Sequence, residues 1–427
     1  MKIMIVNPAL GYGGITTYIK ELIKCLSVEH EITVVLPDDS VSPIKEPGVK
    51  VLYHDTRDLS KKNALFFIRL INEMEKPEVV ISSQGLIIPV IAPYLDDGIK
   101  VMTVSHSGKF FTSEYSAFNH KYSDFIIAAS SDYNKKYLEK RYHIKDKRKV
   151  RVIYNFISED SYLEGLHEEK KGKDEIQIIY SGGALPGKNP DLVLKIICGL
   201  IQTNLNFKFY WTGGTQLPLP KRIINRCKIN DVRQFFQDDE RIIFTGRIES
   251  REEFEKLLSS SNIHLMPSRN EGCSMLLLES LRSGCICLVG DYPHSNREIV
   301  EKGGCGYVLK HTDPDAFIEK LTDIISNPKE YLQLYDNAYG FYKQHLTFPV
   351  WREALGKLIN EPLNHKKRKK AGNLRLSFDL VRMRLWKKNS YVREMFFLTI
   401  KSMINFYVFF LKLKMRGSFP QKSAYNN

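Results

Sequence analysis

Short apolar runs alternate with amphipathic stretches along most of this chain, and the alternation predicts its fold. Each run holds four to six residues, many of them β-branched, which is typical of strands buried on both faces of a parallel sheet. The stretches between the runs are long enough for the helices that connect parallel strands. In the first part of the chain the predicted strands are Ile3–Val6, Glu31–Leu36, Val49–Tyr53, Val79–Ser82 and Val101–Ser105.

The clearest strand–helix–strand unit lies at residues 262–290. The apolar run Asn262–Met266 predicts a short strand, and a polar loop follows it. A helical pattern then begins at Met275 and ends at Ser283, and Cys285–Val289 predicts the next buried strand. Because ligands of open α/β sheets bind at the carboxyl ends of the strands, the loop before the helix is a candidate binding site.

Two carboxylates frame this loop and helix. Glu271 lies in the loop, and Glu279 follows eight residues later, about two helical turns on. The first turn of a helix has unpaired amides and a partial positive charge, so the amides of Cys273, Ser274 and Met275 could bind a phosphate. Carboxylates accept hydrogen bonds from sugar hydroxyls. The unit therefore suits a ligand that is part anion and part polyol, although two solvated glutamates would give the same pattern.

The wider pattern resembles the retaining glycosyltransferases of family 4, which have the GT-B fold. It consists of Pro-Ser-x-x-Glu-Gly, a second Glu at the E-x7-E spacing, a small-residue stop and a β-run. The resemblance covers residues 1–360 and implies that Glu271 meets the donor sugar's hydroxyls, while Glu279 meets the nucleotide ribose. It also implies that the loop and the helix amides contact the sugar and the diphosphate, through Gly272, Cys273, Ser274 and Met275. The family usually has an aromatic-Gly pair where this chain has Cys273-Ser274, and this departure bears on which sugar is accepted.

A glycine-rich turn follows the first strand, within Asn7–Gly14. The glycines Gly13 and Gly14 would let the backbone approach a phosphate or sugar closely, but a plain turn would have the same sequence. In the family this loop faces donor and acceptor across the cleft. It is not the dinucleotide-binding fingerprint, because Thr16 occupies the last glycine position.

His106 comes directly after the predicted strand Val101–Ser105. A lone histidine is usually a structural residue, but the end of a strand in a binding domain is a place where it could serve a site. The family often has a histidine near the donor sugar here. The resemblance thus makes His106 a candidate catalytic residue.

A second glycine-rich turn contains Lys188 and lies between a predicted strand and a helix at Asp191–Ile201. A flexible cation here can neutralise a diphosphate as negative charge builds on the leaving group; the alternative is a solvated loop lysine. The family has an Arg a few residues before this Lys, where this chain has Gly183-Ala184. The candidates to replace this arginine are Arg247 and Arg269, and the sequence leaves open whether either does so. The further donor-binding residues that the resemblance implies are Gly183, Gly213 and Arg247.

The composition fits a two-domain protein. The 427 residues suffice for two full cores, and the hydrophobic fraction of 43% is ordinary for a globular protein. The seven cysteines have no metal-ligand spacing and are expected to be reduced buried thiols. The resemblance to family 4 implies an α/β protein of the GT-B type, with two Rossmann-like domains facing each other across a cleft, and this length can accommodate it. The predicted segments are an acceptor-side domain at 1–165, a nucleotide-sugar-binding domain at 175–345, a crossover helix at 346–362 and a basic helical tail at 363–427.

The tail carries almost all of the net charge of +14. Residues 361–427 hold 16 Lys and Arg against three Asp and Glu. Its most apolar part, residues 395–411, is too short and too polar to predict a membrane-spanning helix. A basic, aromatic-rich segment is better suited to an anionic membrane surface, although a protein partner or a nucleic acid stays open. Nucleic acid is the less expected partner, since no nucleic-acid recognition fold is visible.

The expected activity is retaining transfer of a sugar from a nucleotide-sugar donor to a hydroxyl of a lipid-linked or surface polysaccharide. No cofactor is expected, and no Asp-x-Asp indicates an obligatory metal. The expected location is cytoplasmic, peripheral on the inner face of the membrane. Two alternatives remain: an inactive sugar-nucleotide-binding scaffold for partner transferases, and a sugar-nucleotide epimerase of the same shape.

Overall fold

The computed structural model describes residues 1–7, 14–40, 44, 46–106, 115–129, 131–157, 168, 170–217, 231–236, 238–269, 271–292, 295–368 and 375–385. This part of the chain forms two separate parallel sheets with helices packed on both faces. The arrangement confirms the predicted GT-B class of fold. No helix in the described residues is long and apolar enough to cross a membrane.

The N-terminal sheet has seven parallel strands in the order β3-β2-β1-β4-β5-β6-β7. The strand β1 pairs with β2 on one side and with β4 on the other, so the strand order reverses between β1 and β4. Such a reversal leaves a crevice at the carboxyl ends of the two strands. The strands are β1 Lys2–Val6, β2 Glu31–Leu36, β3 Lys50–Tyr53, β4 Val79–Ser83, β5 Lys100–Ser105, β6 Phe125–Ala128 and β7 Val150–Val152.

The C-terminal sheet repeats this topology with six parallel strands in the order β10-β9-β8-β11-β12-β13. Its order reverses between β8 and β11, so the second crevice lies between the loops that follow these two strands. The strands are β8 Ile176–Tyr180, β9 Phe207–Thr212, β10 Ile242–Gly246, β11 Ile263–Met266, β12 Ile286–Gly290 and β13 Gly306–Leu309.

The helices cover the two faces of each sheet because alternate strand residues point to opposite sides. In β1, Ile3 and Ile5 join one apolar cluster, while Met4 and Val6 join another. The α-helices are α1 Gly14–Ser27, α2 Lys61–Arg69, α3 Ile87–Ile91, α4 Asp132–Arg141, α5 Pro190–Leu200, α6 Arg251–Ser260, α7 Met275–Arg282, α8 Ser295–Gly303, α9 Pro314–Ser326, α10 Leu332–His345, α11 Phe348–Asn360 and α12 at 375–385.

The helix α11 returns from the second sheet to the first. Its Trp351 and Leu355 are buried in the cluster that also holds Ile5 of β1 and Leu22 of α1. Trp351 meets Tyr18 of α1 edge-on, with ring centroids 5.9 Å apart. The chain after the second sheet therefore completes the core of the first domain.

The beginning of the predicted tail belongs to the packed N-terminal domain rather than to a free segment. Asn364 donates its backbone N–H to Asp124 Oδ1 at 2.6 Å, and Arg368 Nη1 donates to the carbonyl oxygen of Ile99 at 2.8 Å. In α12, Leu376 and Met383 are buried in the apolar cluster of α2 and α3. Residues 386–427, which include the predicted apolar stretch 395–411, lie outside the described residues.

Candidate active site

The loops on either side of the second crevice bring Lys188 and Glu271 together. Lys188 ends a single turn of 3-10 helix after β8, and Glu271 lies in the loop after β11. Asn189 follows this turn with a left-handed backbone (φ 61°), and its side chain anchors the turn. Asn189 Nδ2 donates to the carbonyl oxygens of Pro267 and His311, each at 2.9 Å. The loop that carries the cation is thus anchored to the loop that carries the carboxylate.

Lys188 Nζ donates to Glu271 Oε1, and the two side chains are 23% and 10% exposed. Ser268 Oγ donates to the same carboxylate oxygen at 2.9 Å. A mobile cation beside an oriented carboxylate can meet an anionic group and a hydroxyl of one ligand. The structure thus brings Lys188 and Glu271 together, and their roles in binding and catalysis stay predictions.

Two glycine-containing loops close the base of this crevice. A Cβ atom on Gly183 would lie 2.8 Å from the backbone N and O of Gly214, and Gly183 has a φ of 52° that favours glycine. Gly213, with a φ of 95°, donates its backbone N–H to the carbonyl oxygen of Gly246 at 2.7 Å. The close backbone approach explains the glycines at 183 and 213 without reference to a ligand.

Glu279 is almost entirely buried on α7, and it faces Arg251 at the start of α6. Arg251 Nη1 lies 2.7 Å from Glu279 Oε1, while Glu279 Oε2 has no hydrogen-bond partner among the described residues. Burial raises the pKa of Glu279, and the charge and hydrogen bond of Arg251 oppose that effect. An oriented oxygen without a partner can accept a hydrogen bond from a ligand hydroxyl.

Two adjoining cavities, of 590 and 570 Å³, open around these residues. The first is lined by both glycine turns and by Arg247. The second is lined by Lys188, Glu271 and Glu279, with Gly14 from the N-terminal domain. The shared residues are Lys188, Ile248, Phe254 and Leu276.

The second cavity lies between the domains. Gly14 sits so near Met275 that a Cβ at position 14 would lie 2.9 Å from Met275 Cγ. Gly13, which was predicted to bind the donor, lies outside the described residues. The N-terminal glycine turn therefore reaches the donor-side helix at least through Gly14.

The loop before α7, residues 271–274, is held by the helix that follows β12. Ser274 donates its backbone N–H to Asn296 Oδ1 at 3.4 Å, and Ser295 Oγ donates to the carbonyl oxygen of Gly272. Burial raises the pKa of the Cys273 thiol to about 12. Cys273 is accordingly a neutral wall of the site rather than a nucleophile.

His106 lies at the end of β5, apart from the Lys188–Glu271 pair. Its Nε2 is 2.9 Å from Ser83 Oγ, and its ring stands edge-on to Tyr18 with centroids 4.6 Å apart. Burial lowers the pKa of His106 to about 4, so the imidazole is neutral near pH 7. Within the described part of the chain, His106 does not line either cavity. A neutral histidine can orient a group but cannot serve as a strong acid.

The two candidate replacements for the missing arginine differ. Arg269 is 9% exposed and binds both carboxylate oxygens of Asp191, at 2.7 and 2.5 Å, and it is not among the residues that line the two cavities. Arg247 lines the first cavity and pairs with the exposed Glu249 at 3.0 Å. The structure adds Arg251, which sequence reasoning missed because no motif connects it with a glutamate 28 residues later.

Comparison with known families matches both halves of the chain. Residues 166–341 match the model described as glycosyl transferases group 1, and residues 12–161 match the model described as glycosyltransferase family 4. No curated protein matches the chain.

Solved structures share the fold at low sequence identity. The complex of Anabaena HepE with UDP is 11% identical with a TM-score of 0.67, over 84% of this chain and 99% of that one. The lipopolysaccharide outer core galactosyltransferase WaaB is 18% identical, with a TM-score of 0.65 and the same coverage. WaaG, titled as a glycosyltransferase of lipopolysaccharide biosynthesis, is 11% identical, with a TM-score of 0.59 over 85% of this chain and 100% of that one.

Proposed function

The chain belongs to the group 1 glycosyl transferases of family 4, and on that premise we propose that it moves a sugar from a nucleotide-sugar donor to an acceptor hydroxyl with retention. The observation that carries the proposal is the meeting of Lys188 and Glu271 at the crevice between β8 and β11. A nucleotide sugar has a diphosphate and a polyol side by side, and this pair of side chains offers one group to each.

The proposed reaction takes place on one face of the sugar. The bond between the anomeric carbon and the diphosphate oxygen breaks, and the electron pair leaves with the diphosphate. The acceptor oxygen bonds to the anomeric carbon from the same side, and its proton passes to the departing diphosphate. Lys188 and the amides at the start of α7 stabilise the charge on the leaving group, and Glu271 orients the sugar. No protein base and no metal ion is required in this scheme.

The donor is proposed to lie across both cavities. Glu279 Oε2, which has no hydrogen-bond partner in the described part of the chain, would accept from a ribose hydroxyl. The glycine turns at 183 and 213 would lie beside the diphosphate and the base. Similar structures are titled as complexes of HepE with UDP and with UDP-glucose, which supports a nucleoside diphosphate as the common element.

The acceptor is proposed to be a lipid-linked or surface polysaccharide on the cytoplasmic face of the membrane. Two similar structures carry titles that refer to lipopolysaccharide, and this supports an acceptor of the cell envelope. The membrane contact is proposed to involve residues 363–427. Of the part that is described, α12 exposes the apolar side chains Phe378, Val381 and Leu385 beside its arginines.

The test is release of nucleoside diphosphate from a panel of UDP-, GDP-, ADP- and dTDP-sugars, with and without membrane lipid extract. We expect release from one donor, stimulated by the extract and lost in Glu271→Gln. Binding of a donor without turnover under every acceptor condition would instead favour the scaffold, an alternative motivated by the absence of an arginine at 183–184. Conversion of a donor with no acceptor present would favour an epimerase.

A further inference from the structure

The helix α8 connects the donor loop, residues 271–274, with the other domain. Its first two residues hold that loop. Ser295 Oγ donates to the carbonyl oxygen of Gly272, and Asn296 Oδ1 accepts from the backbone N–H of Ser274. One turn later the same helix carries Glu298, whose side chain is 6% exposed. A helix that binds the donor loop at one end and another element one turn on fixes the position of that element relative to the loop.

The element that Glu298 binds is the N-terminus of α4 in the N-terminal domain. The backbone N–H groups of Asp132 and Tyr133 donate to its two carboxylate oxygens at 3.0 and 3.1 Å. These amides belong to the first turn of the helix. The N–H groups of that turn have no acceptor within the helix, and this end of the helix carries a partial positive charge. Tyr154 Oη, in the segment between the two sheets, also donates to Glu298. A carboxylate of one domain thereby caps a helix of the other.

Lys302 closes the same cluster from α8. Its Nζ lies 2.7 Å from Asp132 Oδ2 and 2.9 Å from Glu298 Oε1. Burial alone would lower the pKa of Lys302, but the hydrogen bonds to Asp132, Tyr154 and Glu298 raise it. The contact between the domains is therefore a network of charged and neutral donors around one carboxylate.

The helix α4 in turn contacts the end of β5 in its own domain. Asn134 Nδ2 donates to Ser105 Oγ at 2.9 Å, and Ser105 directly precedes His106. A continuous series of hydrogen-bonded elements thus runs from His106, through α4 and Glu298, to the donor loop.

We infer that Glu298 is a positioning residue that holds the two domains in register, so that the end of β5, next to His106, keeps its position relative to the donor loop. When the contact breaks, the donor loop keeps its anchors within its own domain, but the end of β5 is no longer fixed relative to it. Donor binding should then change little, while the turnover of bound donor falls. The kinetic part of this inference rests on the proposed function; the domain contact does not.

The experiment compares the full-length protein with Glu298→Gln, which keeps the size of the side chain but replaces one acceptor oxygen with a donor. Tyr154→Phe, which removes only a hydroxyl, is the milder variant. Glu301→Gln is the matched control, because Glu301 lies on the same helix and pairs with Arg297 at 2.8 Å. The measurements are small-angle X-ray scattering, thermal unfolding, UDP affinity by calorimetry, and kcat and KM with the donor that the panel identifies.

We expect Glu298→Gln to increase the radius of gyration and to lower kcat by about 10- to 100-fold, the scale of one or two hydrogen bonds to a charged group. The donor KM and the UDP affinity should stay within about threefold, and Tyr154→Phe should shift the same quantities less. An unchanged radius of gyration together with an unchanged kcat in Glu298→Gln would overturn the inference. A UDP affinity that falls by the same factor as kcat would also overturn it. If the wild-type protein turns over no donor, the proposed function fails, and the scattering alone decides whether Glu298 holds the domains.

Discussion

Arg251 Nη1 lies 2.7 Å from Glu279 Oε1, and this pair joins the start of one helix to the middle of another at the edge of the second cavity. Arg251 Nε also binds Glu255 at 2.6 Å, and Glu255 is bound by the buried Arg282. The carboxylate that is proposed to meet the ribose is thus oriented by a charge network that is itself partly buried. Its second oxygen has no hydrogen-bond partner among the described residues.

Replacement of Arg251 by Ala should weaken donor binding by about tenfold, with a small effect on kcat. Without the guanidinium, the buried Glu279 loses the partner of its Oε1, so its orientation and its ionisation both become less favourable for a hydroxyl ligand. Calorimetric titration with UDP measures the loss. Lys256→Ala is the matched control, since Lys256 lies on the same helix and pairs with the exposed Glu252. Equal UDP affinity in Arg251→Ala and in the control would contradict the role of Arg251.

Lys188→Ala should lower kcat by about 100-fold or more, because the cation acts where charge develops on the leaving group. The fold should persist, since Lys188 is 23% exposed and Ser268 still holds Glu271 in place. Steady-state release of nucleoside diphosphate, beside a thermal melt of each variant, checks both statements. Lys208→Ala is the control, because that lysine pairs with Glu175 on the surface at 3.3 Å. Full activity in Lys188→Ala would remove it from the site.

Gly183→Ala should destabilise the C-terminal domain by about 2 kcal/mol or more. The cost combines a left-handed backbone at φ 52° with a new Cβ atom 2.8 Å from the backbone of Gly214. Gly187→Ala, four residues on, adds its Cβ in open space and should change the unfolding free energy by less than about 0.5 kcal/mol. Denaturant titration measures the unfolding free energy of the two variants. Equal denaturation midpoints would show that the glycine turn can accommodate the extra Cβ atom at position 183.

The parts of this protein that could be predicted from its sequence are those encoded within one short segment. The run from Asn262 to Val289 contains its own strand, loop, helix and strand signals, and the structure has β11, α7 and β12 there. Arg251 and Glu298 could not be found in the same way. Their partners, Glu279 and the amide of Asp132, are 28 and 166 residues away, and only the packing of separate elements brings them together.

The predicted tail shows the same limit in another form. Its basic composition suggested one uniform segment, but Arg368 and Leu376 pack against the N-terminal domain. An arginine that donates to buried carbonyl groups is the same residue type as an arginine at a membrane surface. A leucine in a protein core is likewise the same residue type as a leucine inserted in a membrane. Only the contacts distinguish them.

Acidification should destabilise the protein through His106. Burial lowers its pKa to about 4, against an ordinary value near 6.5, so the unfolded state binds more protons between these values. The unfolding free energy should therefore fall as the pH drops from about 6.5 to 4. In His106→Gln this loss should be smaller by about 3 kcal/mol. His264, with a pKa of about 3, adds to the loss in both proteins, so the difference between them isolates His106. Parallel stability curves would mean that His106 is not buried in its neutral form.

The exposed face of α12 provides a direct test of the membrane proposal. Phe378, Val381 and Leu385 are 65%, 49% and 60% exposed, and their spacing places them on one side of the helix, opposite the buried Leu376 and Met383. If this face inserts among anionic head groups, the double change Phe378→Glu and Leu385→Glu removes apolar contact and adds repulsion. Sedimentation with phosphatidylglycerol vesicles should then show binding that is weaker by about tenfold or more.

The control for this face is a single apolar position elsewhere on the same domain. Val28 is 69% exposed and follows α1, which packs on the opposite face of the sheet from α12. Val28→Glu adds the same type of charge and should leave vesicle binding unchanged. Because electrostatic attraction to head groups is screened by salt while apolar insertion is not, the wild-type protein should keep part of its binding in 0.5 M salt, and the α12 variant should keep little. Identical binding of the α12 variant and the wild-type protein would place the membrane contact outside α12, whereas no binding by either would leave a protein partner as the occupant of this face.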